Sequence, residues 1–145
     1  MAVVTFDYTL SPYGKFPLQI CELKAAVRYL RAYAKTYHID PDHIAYWGLS
    51  AGAHIAALAA VSNGVKELED LSMGKPVKNS EELVYLSNPC NFITEQSPPF
   101  FIQHGDADQM VSIKNSRMLY ESILEKTGEN NQKIYSFPDT YLKVK

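Results

Sequence analysis

The sequence is short of cysteine, of unbalanced charge and of long apolar runs, and each shortage excludes something. Its 145 residues hold two cysteines, Cys21 and Cys90. They form neither a C-x-x-C pair nor a disulfide framework, and read as two thiols in a reducing compartment. A net charge of −2 leaves no basic field for a nucleic-acid backbone, so no nucleic-acid partner is expected. No apolar run approaches the roughly 18 residues of a membrane-spanning helix. The most apolar stretch, Ala51 to Val61, is too short and carries His54. The opening MAVVTFDYTLSP has no basic n-region and no cleavable apolar segment. No signal peptide is therefore read, and the expected location is cytoplasmic. No His/Cys/Asp cluster offers a metal site, and no metal or organic cofactor is expected. What is there is ordinary: 46% hydrophobic and 21% charged residues, which excludes a disordered chain and suits one domain, 1–145.

The elements alternate. Ala2 to Tyr8 is rich in Val, Phe, Thr and Tyr and reads as a strand, ended by Ser11-Pro12-Tyr13-Gly14. A helix is predicted from about Leu18 to Thr36. Its core positions Ile20, Leu23, Val27, Leu30 and Ala34 step by three and four, and Lys24, Arg28, Arg31 and Lys35 step likewise on a solvent face. Asp40-Pro41-Asp42 stops it before a short apolar strand, Ile44 to Gly48. Ala51 to Val61 is helical in composition and apolar nearly all round, so it needs cover on several sides. Residues 62–80 read as loop, and Leu83 to Leu86 as a short helix in preference to a strand. Phe100 to His104 is a buried strand, Ser112 caps a helix running to about Lys126 with Gly128 as its stop, and Lys133 to Phe137 is a last strand. Strand and helix in alternation predict an α/β protein with a mostly parallel sheet, whose site lies at the carboxyl ends of the strands.

The sharpest local signal is Gly48-Leu49-Ser50-Ala51-Gly52, which fits G-x-S-x-G, the nucleophile elbow. A serine on a tight turn between strand and helix points its hydroxyl out of the sheet. Flanking glycines remove Cβ atoms where strand and helix approach closely. The following helix aims its N-terminal N–H groups at the reacting centre. The pentapeptide alone is a weak pattern, and a Gly-Ser turn without chemistry is the alternative. Its context, an apolar strand before and an Ala-rich helix after, favours the elbow.

The wider text adds a family. Asp7-Tyr8-Thr9-Leu10-Ser11-Pro12, Phe16-Pro17, Lys24 to Leu30, Ile39 to Ile44 and Trp47 to His54 resemble, in this order and spacing, the α/β-hydrolase superfamily. The resemblance is to its esterase/lipase branch, with hormone-sensitive-lipase-like carboxylesterases and bacterial feruloyl and acetyl-xylan esterase-like proteins. It covers residues 2–62 densely and resumes from about Pro89 to Phe137. It implies a three-layer α/β-hydrolase-like fold, incomplete in this chain, and a serine carboxylic-ester hydrolase acting on a small-molecule ester. Ser50 is then the nucleophile and the N–H of Ala51 an oxyanion donor. Within Pro98 to Val111 the position matching the triad acid is Asp108, with Asp106 its rival. The other reading of Asp108 is a loop residue capping the turn before the Ser112 helix.

The resemblance also implies a histidine after the acid, and none follows Asp108. Of the four histidines, His38 and His43 flank a surface turn, His54 lies inside the helix after the elbow, and His104 ends a strand where the family position is structural. The family's oxyanion loop, before the first strand, is not in the sequence, and the stretch between residues 62 and 80 is short for the family. The expectation is a chain truncated at both ends, with the internal stretch also short, poorly active and weakly stable or oligomeric as it stands. A non-catalytic remnant of such a hydrolase is the alternative function, and a peptidase or thioesterase on the same fold is a further one.

Overall fold

The structure is a computed structural model, which describes residues 1–69, 80–105 and 107–128. Its contacts divide the chain into two compact units, Met1–Pro89 and Cys90–Lys145.

In the first unit the predicted long helix is two: α1, Leu18–Ala32, and α2, Ala34–Tyr37. Their core positions follow the predicted stripe, with Ile20, Leu23, Val27 and Ala34 buried, and Cys21 joins them. His38 ends α2 in the left-handed region at φ 53°. Asp40 then builds the turn, its carboxylate accepting from the Asp42 N–H at 2.9 Å and meeting His43 Nδ1 at 2.8 Å. Helix α3, Ala51–Val61, has the predicted bounds and packs on α1, burying Ile55, Leu58 and Ala59. A 3-10 turn, Lys66–Leu68, buries Leu68, and α4, Ser80–Ser87, confirms the short helix expected around Leu83 to Leu86.

Lys24 departs from the predicted solvent face: it is only 6% exposed. Its Nζ donates to the Ser62 carbonyl and to Glu69 Oε1, both at 2.7 Å. Glu69 also accepts from the Gly64 N–H at 2.9 Å, and Arg28 donates to the Glu69 carbonyl at 3.0 Å. The long Lys24 stem lies among core residues while its charge finds partners at the far end, which periodicity alone does not register. Burial disfavours the charged form of Glu69, but the hydrogen bonds from Lys24 and Gly64 outweigh it and hold its pKa below the usual glutamate value.

In the second unit a 3-10 turn, Pro89–Phe92, begins just before the boundary, and Ile93 and Ile123 are buried. Helix α5, Ile113–Thr127, starts where the sequence placed it. Ser112 Oγ accepts from the Lys114 N–H, and Gly128 closes the helix at φ 69°.

The predicted sheet is not seen among the described residues. Residues 1–10 and 43–48 carry no ladder, and Phe101 is an isolated bridge residue within 100–104. The predicted strand Lys133 to Phe137 lies outside the described residues. Helices close their hydrogen bonds locally, whereas a strand needs a neighbour at ladder distance. Segments 1–10 and 43–48 keep strand-like composition without such a neighbour among the described residues, and Val3 and Trp47 stand 73% and 88% exposed.

Candidate active site

Two serines stand before two helices and differ in every local respect. Ser112 has φ −61°, ψ 131° and caps α5 with its hydroxyl. Ser50 has φ 51°, ψ −120° and makes no side-chain capping hydrogen bond to α3. An L-residue at such a φ is strained, and strain of this kind concentrates at functional sites. The turn is drawn tight by the Gly52 N–H on the Leu49 carbonyl at 2.9 Å and the Ala53 N–H on the Ser50 carbonyl at 3.0 Å. Gly48 is required: a Cβ there would overlap the Gly52 carbonyl group and lie 2.7 Å from the Ala53 nitrogen. The steric reason given for the paired glycines therefore holds at Gly48. At Gly52 a Cβ would meet nothing within 4 Å among the described residues.

Ser50 is exposed, and the N–H of Ala51 opens α3, where helix-start donors have no partner inside the helix. Beside Ala51 lies a mostly apolar cavity of about 350 Å³, walled by Tyr8, Leu10, Phe16 and His54 among others. Its outer wall is pinned to α1 by Thr9, whose N–H and hydroxyl donate to Glu22 at 2.9 and 2.6 Å. In the sequence, Tyr8 to Phe16 reads as the end of a strand, a breaker and part of the family resemblance. Their place beside Ala51 had no local signal, because it depends on how α1 and α3 cross.

His54 retains solvent contact, but burial of its ring pushes its pKa below the ordinary histidine value. A hydrogen bond to the Ser87 backbone pulls it part of the way back and ties the ring to α4. His38 and His43 are exposed at the α2 turn, with the His43 side chain 84% accessible.

In the second unit His104 is occupied at both ring nitrogens. Nδ1 meets Ser116 Oγ at 2.7 Å, and Nε2 donates to the Val111 carbonyl at 2.9 Å. The ring thus ties the Val111 carbonyl to Ser116 in α5. Asp108 Oδ1 accepts from the N–H groups of Met110 and Val111 at 2.8 and 2.9 Å. These bonds, the Val111 one foremost, hold its carboxyl below the usual aspartate value, and His104 adds to them. Asp108 Oδ2 lies 3.4 Å from His104 Nε2. Asp106 lies outside the described residues. Ser116 was missed by the sequence reading, since nothing in a helical serine marks it as the partner of a ring twelve residues back.

Among the described residues no group of three His, Cys, Asp or Glu could hold a metal ion, and no helix is long and apolar enough to cross a membrane.

The strained serine turn leads into an apolar helix, and comparison with known proteins gives the family. The BD-FAE family model matches residues 1–72 and 65–123, and the chain belongs to that family, within the esterase branch of the α/β-hydrolase superfamily. The chain is 27% identical over 175 residues to Esterase LipQ of Mycobacterium tuberculosis (strain ATCC 25618 / H37Rv), covering 95% of this chain and 41% of LipQ. It is 26% identical over 152 residues to the probable carboxylic ester hydrolase LipM of the same organism, covering 79% and 35%. Among solved structures, a truncated form of a carbohydrate esterase from gut microbiota superposes with a TM-score of 0.73 at 27% identity, over 85% of this chain and 61% of that one. The chain thus spans about two fifths of the length of LipQ and about a third of that of LipM.

Proposed function

We propose that this chain carries the nucleophile and acid of a serine carboxylic-ester hydrolase whose substrate is a small ester borne on a carbohydrate. The observation that carries the reading is Ser50: a serine at φ 51° before a helix that its hydroxyl does not cap. A residue whose only task was to start α3 would sit as Ser112 does. The carbohydrate-borne ester rests on the likeness to the gut carbohydrate esterase.

Ser50 Oγ attacks the ester carbonyl, and the N–H of Ala51 donates to the oxyanion that forms. The alcohol leaves, and water releases the acid from the acyl-enzyme. Asp108 holds and orients the imidazolium of the base, a task its depressed pKa suits because it remains a carboxylate at neutral pH. None of the four histidines of this chain is that base. His104 is committed at both nitrogens and His54 is tied to α4. The two units form one domain in this reading, since the second family match, 65–123, runs across their boundary. The apolar segments 2–8, 44–48 and 100–104 take the strand positions of the family's parallel sheet in this reading, although among the described residues they form no ladder. Cys21 and Cys90, neither in a disulfide, suit a reducing cytoplasm.

A second reading, a non-catalytic remnant, is favoured by Asp108, whose Oδ1 accepts from the Met110 and Val111 N–H groups as a turn-capping residue would. Without a base, a serine hydroxyl is a weak nucleophile, and one missing oxyanion donor alone costs on the order of 10²–10³ in rate. Turnover of p-nitrophenyl acetate by this chain should be near background. Imidazole added to the assay supplies the missing base. The expected result is a rate in imidazole that exceeds that of Ser50→Ala under the same conditions. Equal rates would overturn the esterase reading and leave the remnant. Faster cleavage of a thioester or anilide than of the acetate would favour a thioesterase or peptidase.

A further inference from the structure

Helix α5 holds a serine whose hydroxyl has an uncommon partner. A serine inside a helix ordinarily turns its hydroxyl to solvent or back onto the carbonyl one turn earlier. Ser116 Oγ instead lies 2.7 Å from His104 Nδ1. The direction of that bond is set at the other end of the ring. His104 Nε2 lies 2.9 Å from the Val111 carbonyl oxygen, which can only accept, so Nε2 carries a hydrogen. In the neutral ring Nδ1 is then the bare nitrogen, and Ser116 donates to it.

A carboxylate stands at the far side of the ring. Asp108 gives Oδ1 to the N–H groups of Met110 and Val111, and its Oδ2 comes within 3.4 Å of His104 Nε2. Hydroxyl, imidazole and carboxylate thus follow one another within the second unit. The chain order His, Asp, Ser differs from that of the α/β-hydrolase fold, and Nδ1 faces the serine where Nε2 is usual. Such a relay is defined by geometry and roles, not by sequence position. Ser116 is half-buried, and the Asp108 side chain is 34% accessible.

We infer that Ser116 is a second nucleophilic serine of this chain, activated by His104 and Asp108, which captures activated acyl and phosphonyl groups. Its Oγ forms a bond to the carbonyl carbon or the phosphorus, and p-nitrophenolate or fluoride leaves with the electron pair of the bond that breaks. The hydroxyl proton passes to His104 Nδ1. The imidazolium keeps its Nε2–H on the Val111 carbonyl with the Asp108 carboxylate beside it, and then gives the extra proton to water. Ser116 lies inside α5, where the backbone N–H groups around it are engaged in the helix and do not serve an oxyanion. The reaction is therefore a single covalent capture, not turnover. It draws on contacts of the second unit alone and does not depend on Ser50 being reactive.

The test is labelling of the whole chain with a fluorophosphonate at neutral pH, read serine by serine in peptide mass spectrometry. Ser112, exposed at the start of the same helix, is the internal reference. Ser116 should react about 10²-fold faster than Ser112, the low end of what a positioned general base supplies. His104→Gln keeps a hydrogen-bonding side chain but removes the base, and should bring Ser116 down to the Ser112 rate. Equal rates at Ser116 and Ser112 in the unaltered chain would overturn the inference, and so would a Ser116 rate indifferent to His104→Gln. If that variant does not fold, urea takes its place: the excess at Ser116 should vanish when the unaltered chain unfolds, and an excess that persists would overturn the inference. Ser50 and Ser116 are scored separately. Label at Ser50 without Ser116 would sink this inference and leave the esterase reading; label at Ser116 without Ser50 would do the reverse.

Discussion

Ser50 holds a backbone conformation that an L-residue adopts at a cost of about 1–3 kcal/mol. That cost is met by the packing of α3 on α1, and it is relieved if the Cβ is removed. Ser50→Gly should therefore raise the free energy of chemical unfolding by about 1 kcal/mol, net of the entropy glycine adds to the unfolded chain. Ser50→Ala, which keeps the Cβ, should leave stability nearly unchanged. Equal effects of the two would mean that the turn stores no strain. The pentapeptide made this position legible, because the chemistry and the steric requirement are both local. Asp108 was half legible. Its place after a His-Gly pair marked it, but its hydrogen bonds to Met110 and Val111 match the loop-capping alternative, and the text of the sequence does not separate the two roles.

At the scale of elements, the clasp between α1 and the turn after α3 is the interaction the sequence did not disclose. Lys24 is buried, and Glu69 is the carboxylate it meets. Glu69→Ala leaves that ammonium with the Ser62 carbonyl as its partner among the described residues, and should cost about 1–3 kcal/mol in chemical unfolding. Acid should act in the same direction. The folded chain holds Glu69 below its ordinary value of 4.5, so the unfolded chain takes up the proton first. The stability given by the clasp is complete above about pH 4.5 and is lost as pH falls through the lower folded value. A Glu69→Gln chain should lack that part of the acid transition; an unchanged acid profile would remove Glu69 from the account. The helices were readable because cap, stripe and stop are all written within one element. Ser112, Ile123 and Gly128 show this for α5.

At the scale of the whole molecule, legibility ends where a partner is required. The strand composition of residues 2–8 and 44–48 was plain, but composition does not provide a neighbour, and among the described residues these segments have no ladder. Sequence periodicity reports which face of an element wants cover, not whether the cover exists. That is why α3 reads as needing cover on several sides, whereas Ile55, Leu58 and Ala59 are the positions it buries among the described residues.

Trp47 makes that incompleteness visible to light. It is the sole tryptophan, three residues before Ser50, and 88% exposed. Its indole should emit at the long wavelengths of a water-surrounded fluorophore and be quenched freely by iodide. If residues 44–48 become an inner strand once the missing part of the domain is restored, the emission should move to the blue and the quencher should lose access. The chain thus carries, beside its candidate nucleophile, an intrinsic optical gauge of whether its sheet has closed.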